Sequence, residues 1–518
     1  MPASFGARPA VILDDLSFTW PDGDMQFEHV SATFNVGRTG LIGDNGQGKS
    51  TLLRLISGEL TPTTGRITLA GGGRVAYLPQ HITLRTDATV ADLLGITPIL
   101  DAMAAIEACD LDQRHFDVIG DGWDIESRSI AALEALGTVS DLNRTVGTLS
   151  GGETMLIALT GLKLAGGVSL LDEPTNNLDR ATRERLYDEI AAWPGTLIVV
   201  SHDTELLELM DATAELRAGS LSLYGGPYSA YREYVAAQQQ AALQTLRTAT
   251  AELRREKAQR IKEQQRVAHS ERQAKKDADN KRFLPGVLDK RRNRAEKAQG
   301  SNKQMLLARE AEAASRVAEA AAALRADDAI SIDLPDPKVP VSRRIAVLTS
   351  PDGRQLIVQG PERVAITGRN GVGKTTLIER ALSGAESLAG ASLTLHTDRV
   401  GYLSQRLDTS HDDVPVIEYL REATPAVPAA ELRHRLARFL IRGDAVFRPV
   451  GSLSGGERFR VEVARLLLAD PPYQLLILDE PTNNLDLATV DQLVQALGAY
   501  RGAVLVVSHD RAFLERVG

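Results

Sequence analysis

The sequence predicts an α/β chain in which one domain is written twice, with a long helical hairpin between the copies. Three observations carry that expectation. The stretch Gly43-Asp44-Asn45-Gly46-Gln47-Gly48-Lys49-Ser50 returns as Gly368-Arg369-Asn370-Gly371-Val372-Gly373-Lys374-Thr375. Each copy then passes the same later landmarks in the same order. The text between them, from about Tyr228 to Ala326, is rich in Ala, Gln, Glu, Lys and Arg and almost without strand formers, which is helix composition. A repeat of this size means two copies of one domain and not a solenoid. The expected boundaries are 1–230, 231–330 and 331–518.

The first copy opens on strand-like text, Val11-Ile12-Leu13 and then Leu16 to Trp20, followed by a Pro21-Asp22-Gly23 turn. Both repeated octapeptides fit G-x-x-x-x-G-K-[ST]. An apolar strand leads into each (Thr39 to Ile42; Val364 to Thr367), and an apolar helix leads out (Leu52, Leu53, Leu55, Ile56; Leu377, Ile378). Glycines there let backbone N–H groups converge on an anion at a helix N-terminus whose dipole already favours negative charge. Lys49 and Lys374 would reach the β/γ-phosphates of a nucleotide. Ser50 and Thr375 would hold Mg²⁺, and Thr51 and Thr376 continue the loop. One match could be a chance Gly-rich turn; two in full strand–loop–helix context are not.

A phosphate loop binds but does not hydrolyse. In each copy a later apolar run (Val168 to Leu171; Leu475 to Leu478) delivers a carboxylate pair, Asp172-Glu173 or Asp479-Glu480. The aspartate suits the metal and the glutamate suits an attacking water, since phosphoryl transfer asks mainly for positioning and charge stabilisation. His202 and His509 close the next strand within Ser-His-Asp, and their repetition favours a γ-phosphate contact over a structural role. Gln80 and Gln405 are candidates to ligand the metal or sense the γ-phosphate. Leu-Ser-Gly-Gly-Glu, at 149–153 and 453–457, can open a helix and so offer a further N-terminal dipole.

Composition sets outer limits. Apolar content of 43% and charged content of 25% are those of a globular chain. The single cysteine, Cys109, excludes an internal disulfide and fits a reducing, cytoplasmic setting. No apolar run approaches the ~18 residues of a membrane span. Net charge is −9, yet Arg254 to Lys297 holds 16 Lys/Arg against 7 Asp/Glu. An acidic body with a basic middle points to a polyanionic partner. The main breaker in that middle is Phe283-Leu284-Pro285-Gly286, so two helices of about 45 residues would form a hairpin roughly 65 Å long with a basic bend. Sparse leucines (Leu243, Leu246, Leu253; Leu306, Leu307) predict modest pairing between them.

The ordered set of phosphate loop, glutamine, Leu-Ser-Gly-Gly-Glu, Asp-Glu-Pro-Thr-Asn-Asn-Leu-Asp and Ser-His-Asp resembles the ATP-binding cassette ATPases. Two cassettes on one chain with a long charged helical linker resemble the ABC-F subfamily, cytosolic ATPases that bind ribosomes as translation or antibiotic-resistance factors. The resemblance implies two ABC-type nucleotide-binding domains, ATP and Mg²⁺ as ligands, and ribosomal RNA, with transfer RNA nearby, as partner of the linker. It implies a head-to-tail pairing. Ser454, Gly455 and Gly456 would complete the site of Lys49, and Ser150, Gly151 and Gly152 that of Lys374. It also implies that Trp20 stacks on adenine.

The chain departs from the family pattern in several places. Ser350 stands where Trp20 has its counterpart, and Thr154-Met155-Leu156 follows the first signature where the second has Arg458-Phe459-Arg460. The two sites are therefore expected to be unequal. The loop after each carboxylate pair reads Asn-Asn where many members carry Asn-His. The chain ends at Gly518, shortly after His509, whereas the first copy continues through Glu215 to Tyr234, so the second domain is expected to be short of closing elements. Gln80 to Ser150 spans 70 positions and Gln405 to Ser454 spans 49, which places an extra arm-like insertion at about 98–126. Two other readings stay open on the residues: the energy-coupling subunit of a membrane transporter, and a DNA-associated ATPase.

Overall fold

The computed structural model describes residues 9–70, 73–80, 87–279, 285–323, 334–385, 390–405, 409–483 and 485–518, with the backbone alone at 9, 271, 274–279 and 285–301. Two compact units result. One combines Met1–Ser229 with Ala329–Gly518 and holds both cassettes; the other is Ala230–Asp328.

In the first cassette, strand Pro9–Thr19 pairs antiparallel with Met25–Asn35 on one side and Thr64–Leu69 on the other. The second sheet has six strands in the order Val75–Leu78, Val168–Asp172, Thr196–Val200, Gly37–Ile42, Ala212–Arg217 and Ser220–Gly225. The first five run parallel and the last is antiparallel. The strand Val168–Asp172 and its neighbour Thr196–Val200 are buried at every position, as continuous apolar runs inside a parallel sheet must be. The second cassette repeats the plan with strands Gln355–Gln359, Arg344–Thr349 and Ser392–Leu395, and a four-stranded parallel sheet. In that sheet Arg363–Ile366, Ala503–Val507, Leu475–Asp479 and Val400–Leu403 follow one another.

Each cassette carries a helical layer ending in its signature helix, Gly151–Ala165 or Gly455–Leu467. The longer first layer includes helices Thr97–Glu107 and Gln113–Ile119, where extra text was expected. Its base shares a core with Val90, Leu94, Ile125, Leu133 and Ile157, while Leu111, Val118 and Trp123 stay exposed.

The other unit is a pair of long helices, Tyr228–Asp279 and Pro285–Ala322, of 52 and 38 residues. Charge pairs join them: Arg260 Nε lies 2.6 Å from Glu310 and Arg316 Nη1 lies 2.9 Å from Glu252. Ala249, Leu306, Ala313 and Ala320 are buried, whereas Leu243 and Leu307 are exposed. Small residues thus take the place the sparse leucines leave. Phe283 and Leu284, with the side chains of the basic bend, lie outside the described residues.

Candidate functional site

Strand Gly37–Ile42 delivers the first phosphate loop at the edge of helix Lys49–Ser57. Gly48 caps that helix in the left-handed region (φ 96°), and a Cβ there would meet Gln26 at 2.7 Å and Phe27 at 2.8 Å. The glycine is required by conformation and by space. Lys49 is only 7% exposed, and its ammonium donates to the carbonyl oxygens of Gly43 (2.6 Å) and Asp44 (3.2 Å). The loop borders a cavity of about 300 Å³ that also receives Gln26, Gln80, Asp172, Glu173, Asn176 and His202. Ser50 and Thr51 lie on its wall with Asn45, Gly46 and Gly48.

The second loop borders a cavity of about 350 Å³ lined by Asn370, Gly371, Gly373, Lys374, Thr375, Thr376, Gln405, Asp479, Glu480, Asn483 and His509. Three residues of the first cassette, Asn177, Leu178 and Arg183, complete that wall. Lys374 donates to Arg369 O (3.2 Å) and approaches His509 Nε2 at 2.8 Å.

The carboxylates are similarly placed in both copies. Glu173 and Glu480 directly follow their strands with φ of 51° and 46°, a strained conformation for a non-glycine residue. Their N–H groups donate to Val200 O (2.9 Å) and Val507 O (2.8 Å), which continues the sheet and fixes where the side chains point. His202 Nε2 lies 3.3 Å from Glu173, and His509 Nε2 lies 3.4 Å from Glu480. Burial raises the Glu173 carboxyl, against the pull of Lys49, and pushes Glu480 up to about 7. Burial, then the neighbouring lysine, lowers both histidines, His509 to about 4. Each site therefore holds a neutral imidazole beside a carboxylate of raised proton affinity, which suits a group that polarises water.

The donors also suit Mg²⁺. Thr375 Oγ1 donates to Asp479 Oδ2 (2.6 Å), while Asp479 Oδ1 is buried without a hydrogen-bond partner. A hydroxyl, a carboxylate and an amide oxygen form the hard set that Mg²⁺ takes alongside phosphate oxygens. Among the described residues no cluster of three or more His, Cys, Asp or Glu forms a self-sufficient metal cage. In the first site Asp172 accepts instead from Tyr77 Oη (3.2 Å).

The remaining expected residues stand outside the two cavities. Trp20 reaches the first indirectly: its Nε1 donates to Gln26 (3.4 Å), which donates to Gln47 O (3.1 Å). Ser150 and Ser454 cap their helices in capping boxes with Glu153 and Glu457, so Ser-Gly-Gly-Glu is first of all a helix start. The signature residues Ser150, Gly151, Gly152, Ser454, Gly455 and Gly456 line neither cavity. What crosses between cassettes is the loop after the carboxylates. Asp486 accepts from the Asn45 N–H (2.9 Å), Asn370 Nδ2 donates to Asn177 O (2.7 Å), and Asp179 lies 3.9 Å from Arg369. Each aspartate also caps its own following helix.

Sequence reading missed Gln26, Asn176, Asn177, Leu178, Arg183 and Asn483 as cavity residues. The repeated Thr-Asn-Asn-Leu-Asp was a sufficient signal for the loop residues. For Gln26, one position in a strand, there was none.

The profile of the ABC transporter family matches residues 27–176 and 352–483. The tylosin resistance ATP-binding protein of Streptomyces fradiae is 32% identical, over 96% of this chain and 94% of its own length. The energy-dependent translational throttle protein of Mycobacterium tuberculosis is 30% identical, over 98% of this chain and 87% of its own. Among solved structures, a chain of the complex of the archaeal ribosomal stalk protein with the archaeal ribosome recycling factor aligns with a TM-score of 0.57 at 18% identity. That alignment covers 97% of this chain and 86% of that one, and it speaks for the fold. No helix among the described residues is long and apolar enough to cross a membrane. The chain belongs to the ATP-binding cassette family, as a tandem-cassette, ATP-hydrolysing member of its ABC-F subfamily.

Proposed function

We propose that this ATPase acts on the ribosome from the cytosol, as a factor that protects translation against a drug. The observation that carries the reading is the similarity to the tylosin resistance protein, 32% identical over 96% of this chain. A second reading, control of translation without a drug, is favoured by the 30% identity to the translational throttle protein.

In this proposal ATP and Mg²⁺ occupy both cavities. Lys49 and Lys374 hold the β/γ-phosphates. Ser50, Asp172 and Gln80 face one metal, and Thr375, Asp479 and Gln405 the other. Glu173 and Glu480 polarise the attacking water, with His202 and His509 beside the γ-phosphate. ATP draws the cassettes together until Ser454–Gly456 meets the phosphates held by Lys49 and Ser150–Gly152 those held by Lys374, Trp20 stacking on one base. The basic hairpin of residues 231–330 contacts ribosomal RNA, with transfer RNA nearby, and the insertion at 98–126 serves as a second, short arm.

The test uses the double variant Glu173→Gln/Glu480→Gln, expected to retain ATP without turnover. It should co-sediment with ribosomes in ATP, more weakly in ADP, and not with lipid vesicles or duplex DNA. Translation in vitro with tylosin should be rescued by the parent protein. Binding to vesicles or DNA in place of ribosomes would sink the proposal, and an effect only in the absence of drug would favour the second reading.

A further inference from the structure

We propose that Arg183, carried by the first cassette, is an ATP-binding residue of the second nucleotide site, donated across the interface between the cassettes. The proposal rests on the second cavity being an ATP site, and is independent of any action on the ribosome.

Arg183 stands four positions beyond Asp179, on the helix Arg180–Ala191 that Asp179 caps. Its side chain is only 14% exposed, and it faces the cavity of Lys374, Glu480 and His509. A guanidinium has five donors in a rigid fork that matches phosphate oxygens. Here that fork is poorly used. Nη2 makes a long bond to Thr175 O (3.4 Å), Nη1 lies 3.7 Å from Asp203, and Nε is buried with no partner. A buried cation this loosely held, beside the phosphate-loop lysine, has donors to spare for an incoming anion. Its charge is already felt there: after burial and Lys374, Arg183 helps to hold His509 down.

The opposite site has no equivalent. Four positions beyond Asp486 stands Val490, 8% exposed, which lines not the Lys49 cavity but a crevice it shares with Arg183, Glu173 and Asn483. The two sites are thus unequal in complementary ways. The first has Trp20 linked to its phosphate loop through Gln26, and a valine at the matching position of the other cassette. The second has Ser350 in place of the ring and an arginine across the interface. The second site should therefore depend more on the terminal phosphate, and should separate ATP from ADP partly through Arg183.

The test removes hydrolysis with Glu173→Gln/Glu480→Gln and isolates one site at a time. Lys49→Ala leaves the second site, and Lys374→Ala leaves the first. ATP and ADP are titrated separately by calorimetry, and the ratio of their dissociation constants is compared with and without Arg183→Val. The preference for ATP at the second site should fall by at least ten-fold more than at the first. Arg183→Lys should keep most of it. Arg183→Gln, close in size and uncharged, should lose it, and provides the reading if valine impairs folding. Any smaller difference between the sites, or a lysine variant no better than glutamine, overturns the proposal. If the Lys49→Ala protein binds no ATP at all, it is the site assignment that fails; an unchanged ratio with ATP bound removes Arg183 alone.

Discussion

The loop aspartates, alike in sequence, should differ in what their loss costs. Asp486 is 6% exposed and accepts two backbone N–H groups, from Thr489 of its own helix (2.8 Å) and from Asn45 of the other cassette (2.9 Å). Asp486→Ala removes a helix cap, about 1 kcal/mol, and a charged acceptor serving a partly buried donor, about 1.5–3 kcal/mol. Asp179 caps its helix through Thr182 N (3.0 Å), but its cross-cassette partner, Arg369, is 89% exposed and 3.9 Å away. Such an ion pair contributes roughly 0–1 kcal/mol, so Asp179→Ala should cost mainly the cap. The difference, roughly 0.5–3 kcal/mol, corresponds to about 1–12 °C in melting temperature for domains of this size. Thermal melting of the two alanine variants measures it. Asparagine, nearly as good a cap, is the control that keeps the helix start and removes the charge. Equal losses for the two alanine variants would refute the reasoning, because the hydrogen bond to Asn45 would then contribute nothing.

Two other expectations follow from the same geometry. With one site left at a time, the Lys374→Ala protein, which retains Trp20, should bind ATP more tightly and discriminate better against other bases than the Lys49→Ala protein, by roughly 1–3 kcal/mol if the ring stacks; equal isotherms would remove Trp20 from the site. Asp211 accepts from Arg38 N, Nε and Nη2 at 2.9, 3.1 and 2.7 Å, and these bonds lower its pKa. Its contribution, about 0.5–1 kcal/mol for a pair this exposed, is therefore complete above the ordinary carboxylate range and lost as pH falls through the lowered value. Denaturant unfolding of the parent and Asp211→Asn should show a gap that closes on acidification, and a gap independent of pH would contradict the assignment.

Much of this molecule was legible from the sequence because its motifs are local. The phosphate loops need glycine where backbone approaches side chain, as Gly48 does to Gln26 and Phe27. The apolar runs ending in Asp172 and Asp479 are buried on both faces, so they read as strands without alternation. What escaped was long-range. Gln26 sits in an ordinary strand and matters because it lines the cavity and lies between Trp20 and the loop. Arg183 looks like one more charge in Arg-Ala-Thr-Arg-Glu-Arg, and the cavity it lines is built mostly from residues at least 187 positions away. The signature belongs with the local motifs. Ser-Gly-Gly-Glu was read as a helix start with an anion-binding N-terminus, and the structure uses the same residues to start a helix, each serine closing a capping box.

The hairpin poses the remaining question, whether its charge is an instrument or only solvation. Helices of 52 and 38 residues extend about 78 and 57 Å at 1.5 Å per residue, far beyond what a tether between two cassettes needs. They are joined by ion pairs and by alanines in place of a leucine seam, so stability alone does not explain the excess of basic residues toward the bend. If that excess meets RNA, neutralising Lys275, Lys276, Lys281, Arg282, Lys290, Arg291, Arg292 and Arg294 should weaken ribosome binding. It should also flatten the salt dependence by about 0.7–0.9 log unit per log of salt for each phosphate no longer neutralised. ATP hydrolysis without ribosomes should not change, since the residues described as lining the two cavities are all cassette residues. Alanine at Phe283, Leu284, Val287 and Leu288 should do the opposite, sparing ribosome binding and its slope while removing the effect on translation or on drug sensitivity. Co-sedimentation at several salt concentrations, beside translation with and without tylosin, separates the two sets. A basic-set variant with the parent's affinity and slope would make the hairpin a spacer, and would move the search for the RNA-binding surface to the cassettes themselves.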